Sequence, residues 1–155
     1  MLLRVVRRIS FEEVNLRVAE LERKYEGGID LLIDLLEDEH ADEERLSDYA
    51  EWSRMIHSLG AYGEGEDFEY YSDETIDLDW SEVSKLTPRR LDLLYGLSML
   101  RADSINDLAH KIGRDVKNVY GDLKILEALG FVKLTKQGRR ILPALLVQEI
   151  SIPFG

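Results

Sequence analysis

The chain has 155 residues, with 20 Lys+Arg against 31 Asp+Glu and a formal net charge of −11. That length holds one domain or two small ones, and a 45% hydrophobic content excludes bulk disorder. The acidity excludes an indiscriminate coat for nucleic acid or anionic membrane. With no cysteine, disulfides, thiolate zinc sites and thiol nucleophiles are excluded too, and a reducing, cytoplasmic setting is expected.

The charge is unevenly spread. Met1–Leu86 holds 24 acidic and 9 basic side chains, a net of −15, whereas Thr87–Gly155 holds 7 and 11, a net of +4. A sign reversal between halves predicts two units with different partners. The expected division is an acidic N-terminal region over residues 1–86, for dimerisation or partner binding, and a basic domain over residues 87–155.

In chain order, Leu2–Ile9 reads as a short strand. Arg4, Arg7 and Arg8 interrupt its apolar run, so it does not read as a signal peptide, and no run approaches the roughly 18 apolar residues that span a membrane. Ser10 and Glu13 form a capping-box pattern that opens a helix, with a stop at Gly27 and Gly28. A second helix is expected over Ile29–Leu36. The acidic run from Glu37 to Glu44, around His40, lacks the twelve-residue calcium-loop spacing and reads as a solvated turn. A third helix over Leu46–Leu59 should end near Gly60, followed by a Gly-rich loop to Asp67. Gly60, Gly63 and Gly65 do not match a dinucleotide loop, and Glu64, Glu66 and Asp67 would repel phosphate. Phe68–Tyr71 and Thr75–Asp79 read as two short strands.

From Thr87 the pattern changes. Thr87 can cap a helix and Pro88 suits its first position. Leu91, Leu94, Tyr95 and Leu97–Met99 supply an apolar stripe. Ser104 caps the next helix, in which Ile105, Leu108, Ala109 and Ile112 lie at i, i+3, i+4 and i+7, and Gly113 ends it. Asp115 caps a third helix that runs to Leu129 before Gly130, with Val116, Val119, Leu123 and Leu126 as its inner stripe. Two helices on a very short turn, with one helix before them, predict a helix-turn-helix. Phe131–Thr135, a turn at Lys136–Gly138 and a return over Arg139–Leu142 predict a hairpin wing.

The outer face of the third helix centres on Gly121, flanked by Arg114, Lys117, Asn118 and Lys124, with Tyr120 at its margin. Cations suit phosphates and guanine, and an asparagine suits an adenine edge. Gly121 would let the helix approach a groove closely. The wing adds Lys133, Lys136, Arg139 and Arg140. These ten residues are the expected DNA contacts.

Leu86–Phe154, just under half of the chain, resembles winged helix-turn-helix regulators of the MarR-like superfamily, above all a haloarchaeal-type group of DNA-binding proteins. The resemblance lies in LTPRRLDLL, GRDVKNV, LEALGFVKL, the GRR turn and the closing EISIPF. It implies a mainly α fold with small β parts (α+β) and a double-stranded DNA partner. Some members of the group are antitoxin-like, which implies a small toxin as a further partner. The expected function is a homodimeric transcriptional regulator reading a near-palindromic site. The alternative is an antitoxin-like module whose acidic half binds a basic protein.

Catalysis, a cofactor and a metal are not expected. His40, His57 and His110 share no ligand spacing, and no nucleophile elbow or phosphate loop is present. The end segment Glu149–Ile152 alternates, and Pro153 confines it to a sheet edge, where it is expected to pair with Leu2–Ile9 within or between chains.

Overall fold

A computed structural model describes residues 1–38 and 42–155. In chain order they form β1 (Leu2–Arg8), α1 (Phe11–Lys24), α2 (Gly28–Leu36), α3 (Glu43–Gly63), β2 (Tyr71–Asp77) and α4 (Trp80–Ser84). Then follow α5 (Pro88–Met99), α6 (Ile105–Ile112), α7 (Val116–Ala128), β3 (Val132–Gln137), β4 (Arg140–Leu145) and β5 (Val147–Ser151). The fold is α+β, mainly helical with small antiparallel sheets, as the sequence predicts.

The chain divides into two compact units, but not at Thr87. One is discontinuous, Met1–Arg7 with Asp73–Gly155; the other, Arg8–Ser72, is inserted in it. The expected boundary at Leu86 followed charge, whereas the division follows packing. Leu3, Val5 and Leu78 share one core with Leu108, Leu123, Phe131 and Val147, and Ile76, Val83 and Leu86 pack against it. The inserted unit carries 19 Asp+Glu and 6 Lys+Arg, a net of −13, and the discontinuous unit 12 and 14, a net of +2.

In the inserted unit the capping box forms as read. The Ser10 hydroxyl accepts from the Glu13 amide at 3.2 Å and the Glu13 carboxylate accepts from the Ser10 amide at 2.9 Å. Leu21, Tyr25, Leu32 and Trp52 make one apolar cluster, and Val14, Met55 and Tyr70 a second. Asp48 is the buried acid. It accepts from Lys24 Nζ at 2.6 Å and from the Tyr25 hydroxyl at 2.8 Å, and Arg17 lies 3.5 Å away. Burial pushes its carboxyl up, but the Lys24 and Tyr25 hydrogen bonds and the nearby cations outweigh this and hold it below the ordinary range. The helix α3 runs through Gly60 to Gly63, past the expected stop, because neither glycine takes a left-handed conformation. His40 and part of the acidic turn expected around it lie outside the described residues.

In the discontinuous unit the three-stranded sheet has the order β2-β1-β5. β5 is an edge strand, antiparallel to β1 within the chain, with Arg4 opposite Ser151, Val5 opposite Ile150 and a bulge at Val6/Arg7. The two short strands expected around residues 68–79 are one strand, β2, since the polar Ser72–Glu74 stretch continues the extended backbone. The helix α4 was not legible as a helix by periodicity, at five residues, but Asp79 and Glu82 form a second capping box at its start. Of the stripe expected on α5, Leu94 is buried together with Leu93, whereas Leu91, Tyr95 and Met99 are exposed.

Candidate nucleic-acid interface

Three residues set the start of α6 and its turn into α7. Ser104 caps α6 by accepting from the Asp107 amide at 3.0 Å. At the other end Gly113 takes φ 69° and ψ 34°, and the Arg114 amide donates back to the Ala109 carbonyl at 2.9 Å. A side chain in that conformation would be strained, which is why glycine stands there. Asp115 then caps α7 by accepting from the Asn118 amide at 3.1 Å. Val119, Leu123 and Leu126 are fully buried, so the inner stripe of α7 packs as read. Val116 departs from it and is 41% exposed, because it stands at the first turn, beyond the core.

With that stripe inside, Lys117, Asn118 and Gly121 are exposed. A Cβ on Gly121 would meet nothing within 4 Å, so no packing among the described residues requires glycine there. Two depressions flank Lys117. One, of about 740 Å³, runs along α7 to the start of α5 and is lined by Arg89, Lys117, Asn118 and Gly121. The other, of about 820 Å³, lies between α7 and the hairpin and is lined by Lys117, Tyr120, Arg139 and Arg140, with Asp103, Asp107 and Asp115 on the α6 side.

Arg114 corrects the expected outer face. Its side chain is only 15% exposed, and its Nη2 donates to Asp122 at 2.6 Å. Arg90 reaches the other oxygen of the same carboxylate through Nε at 3.1 Å and the Lys85 carbonyl through Nη1 at 3.0 Å. Burial raises the Asp122 carboxyl, but the hydrogen bonds from Arg114 and Arg90 prevail and lower it. Arg114 is therefore a brace behind α7 rather than a free cation. The physical reason is position. It precedes the Asp115 cap, where the chain still turns across the start of the helix, so a helical wheel does not apply to it. Lys124 is also committed, 3.0 Å from Glu127, whose hydrogen bond and charge raise the Lys124 ammonium.

The hairpin is longer than expected, with a two-residue turn at Gly138 and Arg139 between the paired Gln137 and Arg140. Lys136 therefore lies within the first strand, opposite Ile141, rather than opening the turn. Lys133 sits opposite Ala144 near the base, not at the tip. Alternation puts Lys133 and Lys136 on opposite faces. Among the expected contacts, the fold thus gathers Lys117, Asn118, Tyr120, Gly121, Arg139 and Arg140 around the outer face of α7. It binds Arg114, which still lines the depression beside Asn118, to Asp122, pairs Lys124 with Glu127 and leaves Lys133 and Lys136 apart on the hairpin.

Arg89 was missed. Its signal is a broken local rule, since two arginines in the first turn of α5 oppose the helix dipole. Arg90 has its reason in Asp122. Arg89 is exposed and faces the depression that also holds Asn118.

Residues 85–152 match the family described as HVO_A0114. The match spans α5 through β5, so it takes in every residue around α7 described above and none of the inserted unit. HVO_A0114 is what this stretch is similar to, over less than half of the chain. No curated protein matches the chain. Among the described residues no group of three His, Cys, Asp or Glu side chains is placed to hold a metal ion. No helix there is long and apolar enough to cross a membrane.

Proposed function

We propose that the stretch α5–β4 is a winged helix-turn-helix of MarR-like type that reads double-stranded DNA, and that the protein is a transcriptional regulator. One observation carries this. Lys117 stands between two depressions, with Asn118 and Gly121 beside it on the open face of α7, Arg89 on one flank and Arg139 and Arg140 on the other. A helix presented in this way suits a major groove, with a hairpin reaching the flanking backbone. Asn118 offers a bidentate amide to adenine, while Lys117 and the arginines offer cations to phosphate or guanine. A net of +2 on this unit favours local contact over general adhesion. A homodimer would set two α7 helices about 34 Å apart on a near-palindromic site. Leu91, Tyr95 and Met99, exposed at i, i+4 and i+8 on α5, supply apolar surface for such a pairing.

Gel-shift against genomic fragments, repeated over a range of salt, tests the proposal. The R139E/R140E variant should bind much more weakly at low salt and show a shallower salt slope, by about 0.9 for each phosphate that is no longer neutralised. Binding equal to wild type at every salt concentration would remove the hairpin from the interface.

A further inference from the structure

In the strongly acidic inserted unit, one cleft gathers a guanidinium, an imidazole and hydroxyl groups. Among the unit's six basic side chains, Arg17 bridges Glu20, Asp48 and Glu51, and Lys24 bridges Glu44 and Asp48. Arg54, like Arg8, Arg23 and Arg45, has no carboxylate within bridging distance among the described residues. It stands beside the Tyr70 hydroxyl.

Around Arg54 the helix α3 presents Ser53, His57 and Ser58. Ser53 with His57, and Arg54 with Ser58, are i, i+4 neighbours, so the four side chains form two adjoining columns on one side of the helix. Trp52 and Met55 are buried in the two apolar clusters of the unit. Facing the columns is the segment Glu69, Tyr70 and Tyr71. Together these seven residues line a cleft of about 480 Å³, within the range of small-molecule sites. Tyr70 is buried and fixed, at 5% exposure, while Tyr71 shows one face to solvent at 42%. The cleft thus joins a guanidinium, an imidazole and two hydroxyls, which hold oxyanions, to phenol rings, which stack on flat apolar bodies. Its one carboxylate, Glu69, is exposed to water.

We propose that this cleft is a binding site for a small aromatic anion. The oxyanion is held by Arg54 with His57 and Ser58, and the ring lies against Tyr70 and Tyr71. The site belongs wholly to the inserted unit and does not depend on what α7 binds.

The test is a titration of the full-length protein, without DNA, with sodium benzoate, phenyl phosphate and neutral benzamide. It is followed by NMR shifts of the His57, Tyr70 and Tyr71 side chains and by calorimetry. Benzoate or phenyl phosphate is expected to shift those signals saturably, and which of the two binds tighter assigns a carboxylate or a phosphate ligand. Benzamide and the R54Q variant should each bind roughly tenfold or more weakly, and R54K should fall between R54Q and wild type because it keeps the charge but loses the planar fork. Arg54 is exposed, so R54Q should keep the wild-type melting temperature, which separates a binding defect from a folding defect. Saturation by neither anion, equal binding of benzamide, undiminished binding by R54Q, or shifts confined to Lys117 and Arg139 would each overturn the proposal.

Discussion

Asp122 holds two arginines with one carboxylate, Arg90 from α5 and Arg114 from the turn before α7, and its surroundings decide what its loss would do. Arg90 and Arg114 are 20% and 15% exposed, so water replaces little of what Asp122 supplies. The Asp122→Asn variant is expected to lose about 1–3 kcal/mol in urea unfolding. Its carboxyl is lowered in the folded state, so its contribution is complete above the ordinary carboxylate value near 3.9. It disappears as pH falls through the lower folded value. Wild type should therefore lose stability over that acidic window, and Asp122→Asn should lose less of it. Gly121 gives the opposite kind of prediction. With open space around its Cβ, Gly121→Ala should raise stability by up to about 1 kcal/mol, read from thermal melts. If α7 enters a groove at this position, the same variant weakens DNA binding, and a variant that is more stable but binds equally well would move the contact elsewhere. At this scale the sequence showed the exposed polar face of α7 because its inner stripe is regular. It misplaced Arg114, since a residue outside the helix does not obey the helical period.

The elements were most legible where caps and glycines coincide with periodicity. Ser10, Thr87, Ser104 and Asp115 all cap the helices read from them. Periodicity misled on α5, where six of twelve residues are apolar or aromatic, so that several phases fit and only packing selects Leu93 and Leu94. It also failed for β2, whose run of Ser72, Asp73 and Glu74 has no apolar alternation and owes its extended form to its neighbour β1. The α6–α7 turn offers the clearest test at this level. Gly113→Ala, placed at φ 69°, should cost roughly 1–2 kcal/mol, and Gly113→Asn less, since asparagine tolerates the left-handed region. Equal melting temperatures for both variants would show that this turn relaxes without strain.

Across the whole molecule the charge halves respond to salt in opposite directions. The inserted unit, at −13, repels itself, and added salt screens that repulsion, with a Debye length of about 10 Å at 0.1 M and 3 Å at 1 M. The short bridges to the buried Asp48 are screened far less. Melting temperature is therefore expected to rise between 0.1 and 1 M potassium chloride, while any affinity of α7 for DNA falls. A melting temperature that drops over that range would mean the surface ion pairs outweigh the self-repulsion. The sign reversal was legible from the sequence alone, but its boundary was not, because charge is a property of surfaces and residues 1–7 and 73–86 are assigned by what they bury.

The pairing of β1 with β5 also has a consequence for the order in which this protein is made. The ribosome delivers Arg4 long before Ser151, its partner across the sheet. The inserted unit is a continuous stretch with its own apolar clusters, and all of it has emerged while β5 is still unmade. During synthesis β1 must wait with its β5-facing edge unpaired, so the newborn chain carries a vacant sheet edge until β5 arrives to close it.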